Sequence, residues 1–155
     1  MNIAPLRDAT DPDWLALRQA LWPDDDASEP VGARSAEHLA EMASQLAEPQ
    51  RFAQFIARGA GGEALGLVEA ALRHDYVPGT DSTPVGFLEG LYVVPAARRQ
   101  GVARALVQAA ADWARAQGCT ELASDTPLDN LLSQAVHERL GFAEAERVVF
   151  FSKAL

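Results

Sequence analysis

Apolar positions recur along this chain with two different periods, and the change of period separates helices from strands. Near the N-terminus Trp14, Leu17 and Leu21, with Leu15 beside them, repeat at helical spacing behind Asp11-Pro12. That pair is an N-cap candidate followed by proline at the first helical position, and Pro23 ends the helix after Trp22. A second helical repeat, Leu39, Met42, Ala43 and Leu46, predicts a helix over about 36–47. The middle of the chain alternates instead. Residues 52–57 and 65–73 read as strands joined by a turn through Gly59-Ala60-Gly61-Gly62, and residues 85–94 as a third strand. That third strand is apolar on both alternating sets, so it is expected at the centre of a sheet, covered on both faces. Helix 101–117, a strand near 121–124, helix 129–140 and a closing strand 142–152 complete the pattern. The pattern predicts one α+β domain over residues 1–155, a mixed and mainly antiparallel sheet flanked by helices.

Composition and charge narrow the function. The chain has 155 residues, 48% hydrophobic and 23% charged, enough for one proper core. Thirteen basic against 22 acidic residues leave a net charge of -9. Neutralising phosphate takes Lys and Arg, so a general nucleic-acid or anionic-membrane binder is not expected. A cationic partner fits better, with plain solubility as the other use of such a surplus. The single Cys119 excludes an internal disulfide framework or a Cys-rich zinc site, and its apolar-mixed surroundings predict a buried, inert thiol. No histidine has metal-ligand spacing, so no metal is expected. No basic-then-apolar leader and no apolar run near the roughly 20 residues of a membrane span is visible, so a cytoplasmic protein is expected.

One segment carries distinctive chemistry. Val93-Val94-Pro95-Ala96-Ala97-Arg98-Arg99-Gln100-Gly101-Val102-Ala103-Arg104 runs from a strand through a short turn into a helix. Val102, Leu106, Ala109, Ala110 and Trp113 fall on one face of that helix. Its first N–H groups lack intrahelical acceptors and the helix dipole adds positive potential, so the turn is an anion cradle. Small Gly101 and Ala103 let a phosphate approach, and Arg98, Arg99 and Arg104 add charge. No Gly-Lys-Ser/Thr follows and Gly-x-Gly-x-x-Gly is absent, so it is neither a P-loop nor a dinucleotide fingerprint.

Arg98-Arg99-Gln100-Gly101-Val102-Ala103 resembles the Arg/Gln-x-x-Gly-x-Gly/Ala pyrophosphate motif of the GCN5-related N-acetyltransferases. Leu91-Tyr92-Val93-Val94-Pro95 and Leu140-Gly141-Phe142 agree with that family at its spacing. The resemblance implies that family's fold and acetyl-CoA as co-substrate. It places the pyrophosphate on Arg99, Gln100, Gly101, Val102, Ala103 and Arg104, and the pantetheine along the backbone of Leu91, Tyr92 and Val93 as an added strand. Asn130 matches a position that commonly hydrogen-bonds the cofactor. Further stretches, Leu21-Trp22-Pro23, Arg73-His74-Asp75-Tyr76-Val77, Phe87-Leu88-Glu89-Gly90, Ala123-Ser124-Asp125-Thr126 and Glu146-Arg147-Val148, are similar to the aminoglycoside 6′-N-acetyltransferases. That resemblance implies a polycationic aminoglycoside as substrate, antibiotic resistance as outcome, and Trp22, Asp25, Tyr76, Glu89, Asp125 and Glu146 as substrate contacts.

The residues add their own argument. Glu89 shares an expected strand face with Phe87, Leu91 and Val93, where an unpaired carboxylate costs several kcal/mol unless it meets a cation or a wet cleft. It is the candidate base, because an ammonium must lose a proton before it attacks. Asp125 follows a strand, with N-capping of the next helix as its structural alternative, a task Thr126 could also perform. Where many members carry a tyrosine as general acid, this chain has His137, a candidate acid whose alternative is a structural role; the thiolate could instead take its proton from water. Residues 147–151 form an apolar terminal strand that needs cover, which predicts a homodimer. Two other functions remain open at this point: acetylation of another polyamine or a peptide amine, and a non-catalytic acetyl-CoA- or polycation-binding module.

Overall fold

The computed structural model describes residues 1–23 and 33–154. The Asp11 carboxylate accepts from the backbone N–H of Asp13 and Trp14 and so caps α1 (Pro12–Leu21), with Pro12 at its first position. α2 (Ala33–Ala47) follows, then the antiparallel pair β2 (Phe52–Arg58) and β3 (Ala64–Arg73). β4 (Val85–Val93) pairs antiparallel with β3 and leads through a short 3-10 turn into α3 (Val102–Ala116). β5 (Leu122–Ser124) pairs parallel with β4, and α4 (Leu131–Leu140) is the last regular element among the described residues.

An N-terminal strand, β1 (Asn2–Pro5), pairs antiparallel with β2 and completes the order β1-β2-β3-β4-β5. This is the mixed, mainly antiparallel sheet that the sequence pattern predicts. The sheet separates two apolar layers. Val68, Ala70 and Leu88 pack with Val102, Leu106 and Ala110 of α3, while Ile56 and Leu67 pack with Trp14 and Leu17 of α1 and Met42 of α2. Cys119 is buried, and burial pushes its thiol above the usual range.

Three expectations need correction. β1 went unforeseen because four residues ending in proline show no usable period; on an edge strand Pro5 needs no ladder N–H. The strand expected over 142–152 does not form: residues 142–154 hold no helix or strand, and Phe150 and Phe151 are 88% and 93% exposed. Strand preference is a preference for a packed, paired surface, and nothing in the described chain pairs with this segment. β4 is covered on both faces only in its first half, and from Glu89 onward it is half open.

Arg18 and Glu69 are buried beneath α1, at 3% and 1% exposure. The Trp14 indole N–H donates to Glu69 Oε1 at 2.5 Å, Arg18 Nε lies 3.5 Å from the same oxygen, and the Arg18 guanidinium also pairs with Glu41. Burial pushes the Glu69 carboxyl up, against the pull of Arg18 and of the indole N–H. A carboxyl raised in the folded state contributes stability below its unfolded range, about pH 4.3, and loses it as pH rises through the folded value. Glu69→Gln removes that loss, so urea midpoints should show the variant gaining on the parent as pH rises from about 4 to neutrality. A difference that stays flat with pH would contradict this account.

Candidate active site

The ladder between β3 and β4 skips one residue. Ala70 pairs with Leu88 and Glu69 with Gly90, which leaves Glu89 unmatched in a β-bulge. The bulge breaks the alternation expected from sequence. Leu88, Leu91 and Val93 all pack in the α3 layer, so Glu89 keeps the side of Phe87 as expected but does not share it with Leu91 and Val93. There the Arg73 guanidinium meets it, Nη2 at 2.8 and 3.1 Å from the two carboxylate oxygens and Nε at 3.2 Å from Oε1, while Arg73 lies 4.2 Å above the Phe87 ring. Sequence reading identified the need for a cation but not Arg73, which closes the neighbouring strand.

β4 also parts from β5 at this point. Their parallel pairing covers only Gly86–Leu88 against Leu122–Ser124. Beyond it, the backbone of Leu91, Tyr92 and Val93 runs on with no strand on that side, and Arg98 Nε donates to the Val93 carbonyl at 3.0 Å. One step past the last pair, Leu88 with Ser124, Glu89 and Asp125 emerge together at the fork. Asp125 is exposed, and neither it nor Thr126 caps α4. Asn130 does, its Oδ1 accepting from Ser133 N–H at 3.1 Å, which leaves its amide donors for another partner.

Trp22 ends α1, with its ring between His38, stacked at 6.3 Å between centroids, and the Arg18 guanidinium 5.0 Å away. It lies against Gly90, where a Cβ would fall 2.8 Å from the indole and 2.7 Å from Leu21 Cδ2. The glycine is what lets this wall approach the bulge. Tyr76 is 77% exposed in the loop between β3 and β4. Glu121 braces that loop by accepting from the N–H groups of Asp81 and Ser82 and from the Ser82 hydroxyl, which hold its carboxyl below the usual range. A side chain at Gly79 would strike Ala145, so the same loop lies against the residue that precedes Glu146. Asp25 lies outside the described residues.

The anion cradle forms as its sequence predicts. Gly101 precedes α3 at φ +83° and Arg99 adopts φ +62°, both in the left-handed region that turns the chain sharply. No side chain caps the helix and no acid stands in its first turn, so the Val102, Ala103 and Arg104 N–H groups face outward beside exposed Arg99 and Arg104. Gln100 spends its side chain on the Ala96 carbonyl at 2.8 Å and Val102 is buried, so these two can serve a ligand only through their backbone.

His137 is engaged at both nitrogens. Nδ1 lies 2.8 Å from the Ser133 carbonyl, which can only accept, so Nδ1 carries a proton, and Nε2 lies 3.0 Å from the Ser124 hydroxyl, which also donates to the Leu88 carbonyl at 3.3 Å. Its ring meets Phe142 edge-on at 5.4 Å. A cavity of about 350 Å³ lined by Leu6, Gln45, Phe52, Gln54 and Trp113 includes none of the described candidates. Among the described residues no three His, Cys, Asp or Glu side chains cluster as metal ligands, and no helix is long and apolar enough to cross a membrane.

Residues 14–142 match the family model described as acetyltransferase (GNAT) family. An aminoglycoside N(6′)-acetyltransferase type 1 of Acinetobacter haemolyticus is 47% identical over 155 residues, covering 100% of this chain and 99% of the relative. One of Serratia marcescens is 51% identical over 142 residues, 92% of this chain and 91% of the relative. The crystal structure of the apo aminoglycoside antibiotic 6′-N-acetyltransferase AAC(6′)-IG from Acinetobacter haemolyticus superposes with a TM-score of 0.89 at 47% identity, over 100% of this chain and 99% of that one. AAC(6′)-Iy in complex with the bisubstrate analog CoA-S-monomethyl-acetylneamine gives 0.87 at 41% identity, over 99% and 98%.

The contacts of His137 generate a prediction of their own. His137→Phe keeps the ring but removes both hydrogen bonds, and should cost about 1–3 kcal/mol in urea unfolding. An unchanged midpoint would show that the bridge from α4 to β5 carries no stability.

Proposed function

Because the chain belongs to the acetyltransferase (GNAT) family, we propose that it transfers the acetyl group of acetyl-CoA directly to the 6′-amino group of aminoglycosides and thereby confers resistance to them. The observation that carries this reading is the fork between β4 and β5: a free strand edge leads from the anion cradle to two carboxylates. The full-length relatives named for this activity, and the bisubstrate complex of one similar enzyme, support the same choice of substrates.

The uncapped N–H groups of α3 and the unpaired edge of β4 fit a long phosphorylated thioester, whose acetyl group is the activated reactant. Arg99, Gln100, Gly101, Val102, Ala103 and Arg104 hold its pyrophosphate, the first and last also by charge. Leu91, Tyr92 and Val93 pair with its pantetheine arm, and one of their N–H groups polarises the carbonyl oxygen. Asn130 donates its free amide. On the other side of the fork Glu89, Asp125 and Glu146 receive ammonium groups, and Trp22 and Tyr76 face the sugar rings. Glu89 takes a proton from the attacking ammonium, directly or through water, and the amine lone pair then adds to the carbonyl.

With its Nε2 turned to Ser124, His137 holds the end of β5 in place, and the departing thiolate takes its proton from water. The chain acts as one catalytic domain in the cytoplasm. It forms a homodimer in which residues 147–151 find the cover they lack here, Val149, Phe150 and Phe151 being among the most exposed apolar side chains described.

Thiol release from acetyl-CoA is the direct assay, with a kanamycin-type aminoglycoside, spermidine and a peptide amine as acceptors. Turnover with the aminoglycoside above the other two is expected, and none above background would refute the proposal. Glu89→Gln should lower kcat/KM by roughly 10²–10⁴-fold, the range of a general base. Gly101→Val places a branched side chain at a positive φ beside the cradle. It should weaken acetyl-CoA binding about tenfold or more, equivalent to about 1.4 kcal/mol, with the aminoglycoside KM unmoved. Unaltered acetyl-CoA affinity would displace the cofactor from this turn.

A further inference from the structure

We infer that Arg73 is a positioning residue for Glu89: its guanidinium fork, and not the bulge alone, fixes the direction in which the carboxylate meets the substrate amine. The inference rests on the acetyltransferase reading above and adds a residue to it.

Arg73 ends β3 opposite Val85, so its side chain must run along β4 to reach Glu89. An arginine at a strand end ordinarily sends its charged head to water. This one lies back over the Phe87 ring at 4.2 Å and makes three hydrogen bonds to a single carboxylate. Aromatic face and carboxylate thus hold the guanidinium from two sides. The pair sits at the boundary, with side chains 38% and 32% exposed, where a polycationic ligand can still reach it.

Glu89 needs such a hold. As the unmatched residue of a bulge it has no cross-strand neighbour on β3 to confine its side chain. A carboxylate offers about four lone-pair directions, and Arg73 occupies three. The one left is on Oε2. The ammonium therefore meets a carboxylate with one open direction, which selects the orientation of the nitrogen that is to lose a proton.

The test compares Arg73→Ala, Arg73→Met and Arg73→Lys with the parent enzyme. In Arg73→Ala and Arg73→Met, kcat with the aminoglycoside should fall roughly ten- to hundredfold, as expected of a small misplacement at a reacting group. The acetyl-CoA KM and the melting temperature should stay close to the parent and report an intact fold. Lysine carries the charge without the planar fork and should recover little. Millimolar guanidinium should restore kcat to Arg73→Ala, and methylammonium should not.

Unchanged kcat in all three variants overturns the inference. So does a lowered aminoglycoside KM in Arg73→Ala with guanidinium acting as a competitor, because Arg73 would then merely occupy the place of the amine until substrate arrives. If the parent enzyme acetylates no aminoglycoside, the functional reading fails and the geometry still decides the role of Arg73. Crystal structures of the parent and Arg73→Met should differ in the Glu89 rotamer, and an unmoved carboxylate overturns the inference.

Discussion

The parallel ladder between β4 and β5 ends at Leu88 and Ser124, and the candidate site is arranged around that end. A strand whose edge is left open exposes N–H and C=O groups that must find partners. Here one consequence of the open edge is a surface for an extended ligand, and another is that Glu89 and Asp125 each follow the last paired residue of their strand. The bulge at Glu89 belongs to the same local departure from regularity. It increases the bend of β4 and carries Leu91 and Val93 over to the α3 core, leaving Glu89 with Phe87 on the other face. Had the β3–β4 ladder been regular, Leu91 could not share the core layer with Leu88.

Charge has a more divided role than the net value of -9 suggests. Several carboxylates serve the fold: Asp11 and Asp13 pair with Arg58, Glu41 and Glu69 with Arg18, and Glu121 with loop amides. Their contribution goes to holding elements together and not to a field around the molecule. At the site itself Glu89 is already paired with a cation. The surplus that a polycation would meet is therefore local, on Asp125 and Glu146 and the open side of Glu89.

Features set by neighbours in sequence were legible before the structure. The Asp11-Pro12 cap, the α3 stripe and the Arg98–Arg104 turn each depend on residues a few positions apart. Features set by pairing were not. Alternation along 85–94 puts Leu91 and Val93 on the face of Glu89 only if the ladder is regular, and the register skip that moves them depends on β3. The closing strand failed for the same reason, since apolar residues without a partner strand do not define one. Arg18 did leave a signal: it falls four residues after Trp14 on the helix face that also carries Leu21, where a charged side chain is out of place unless something buried receives it. Glu69, in an otherwise apolar strand, is what receives it.

That buried pair supports the Trp22 wall, and its energetics restrict how the wall can diverge. Removing Arg18 leaves Glu69 in the core with the Trp14 indole alone, and removing Glu69 leaves Arg18 to Glu41; breaking a buried pair costs about 3–5 kcal/mol, a large share of the 5–15 kcal/mol that holds a typical domain together. A change at either one therefore favours a matching change at the other. The loops bearing Tyr76 and Glu146 carry no such penalty. A change in those loops leaves the buried pair untouched, while the indole wall stays tied to Arg18, whose guanidinium lies 5.0 Å from the centre of the Trp22 ring.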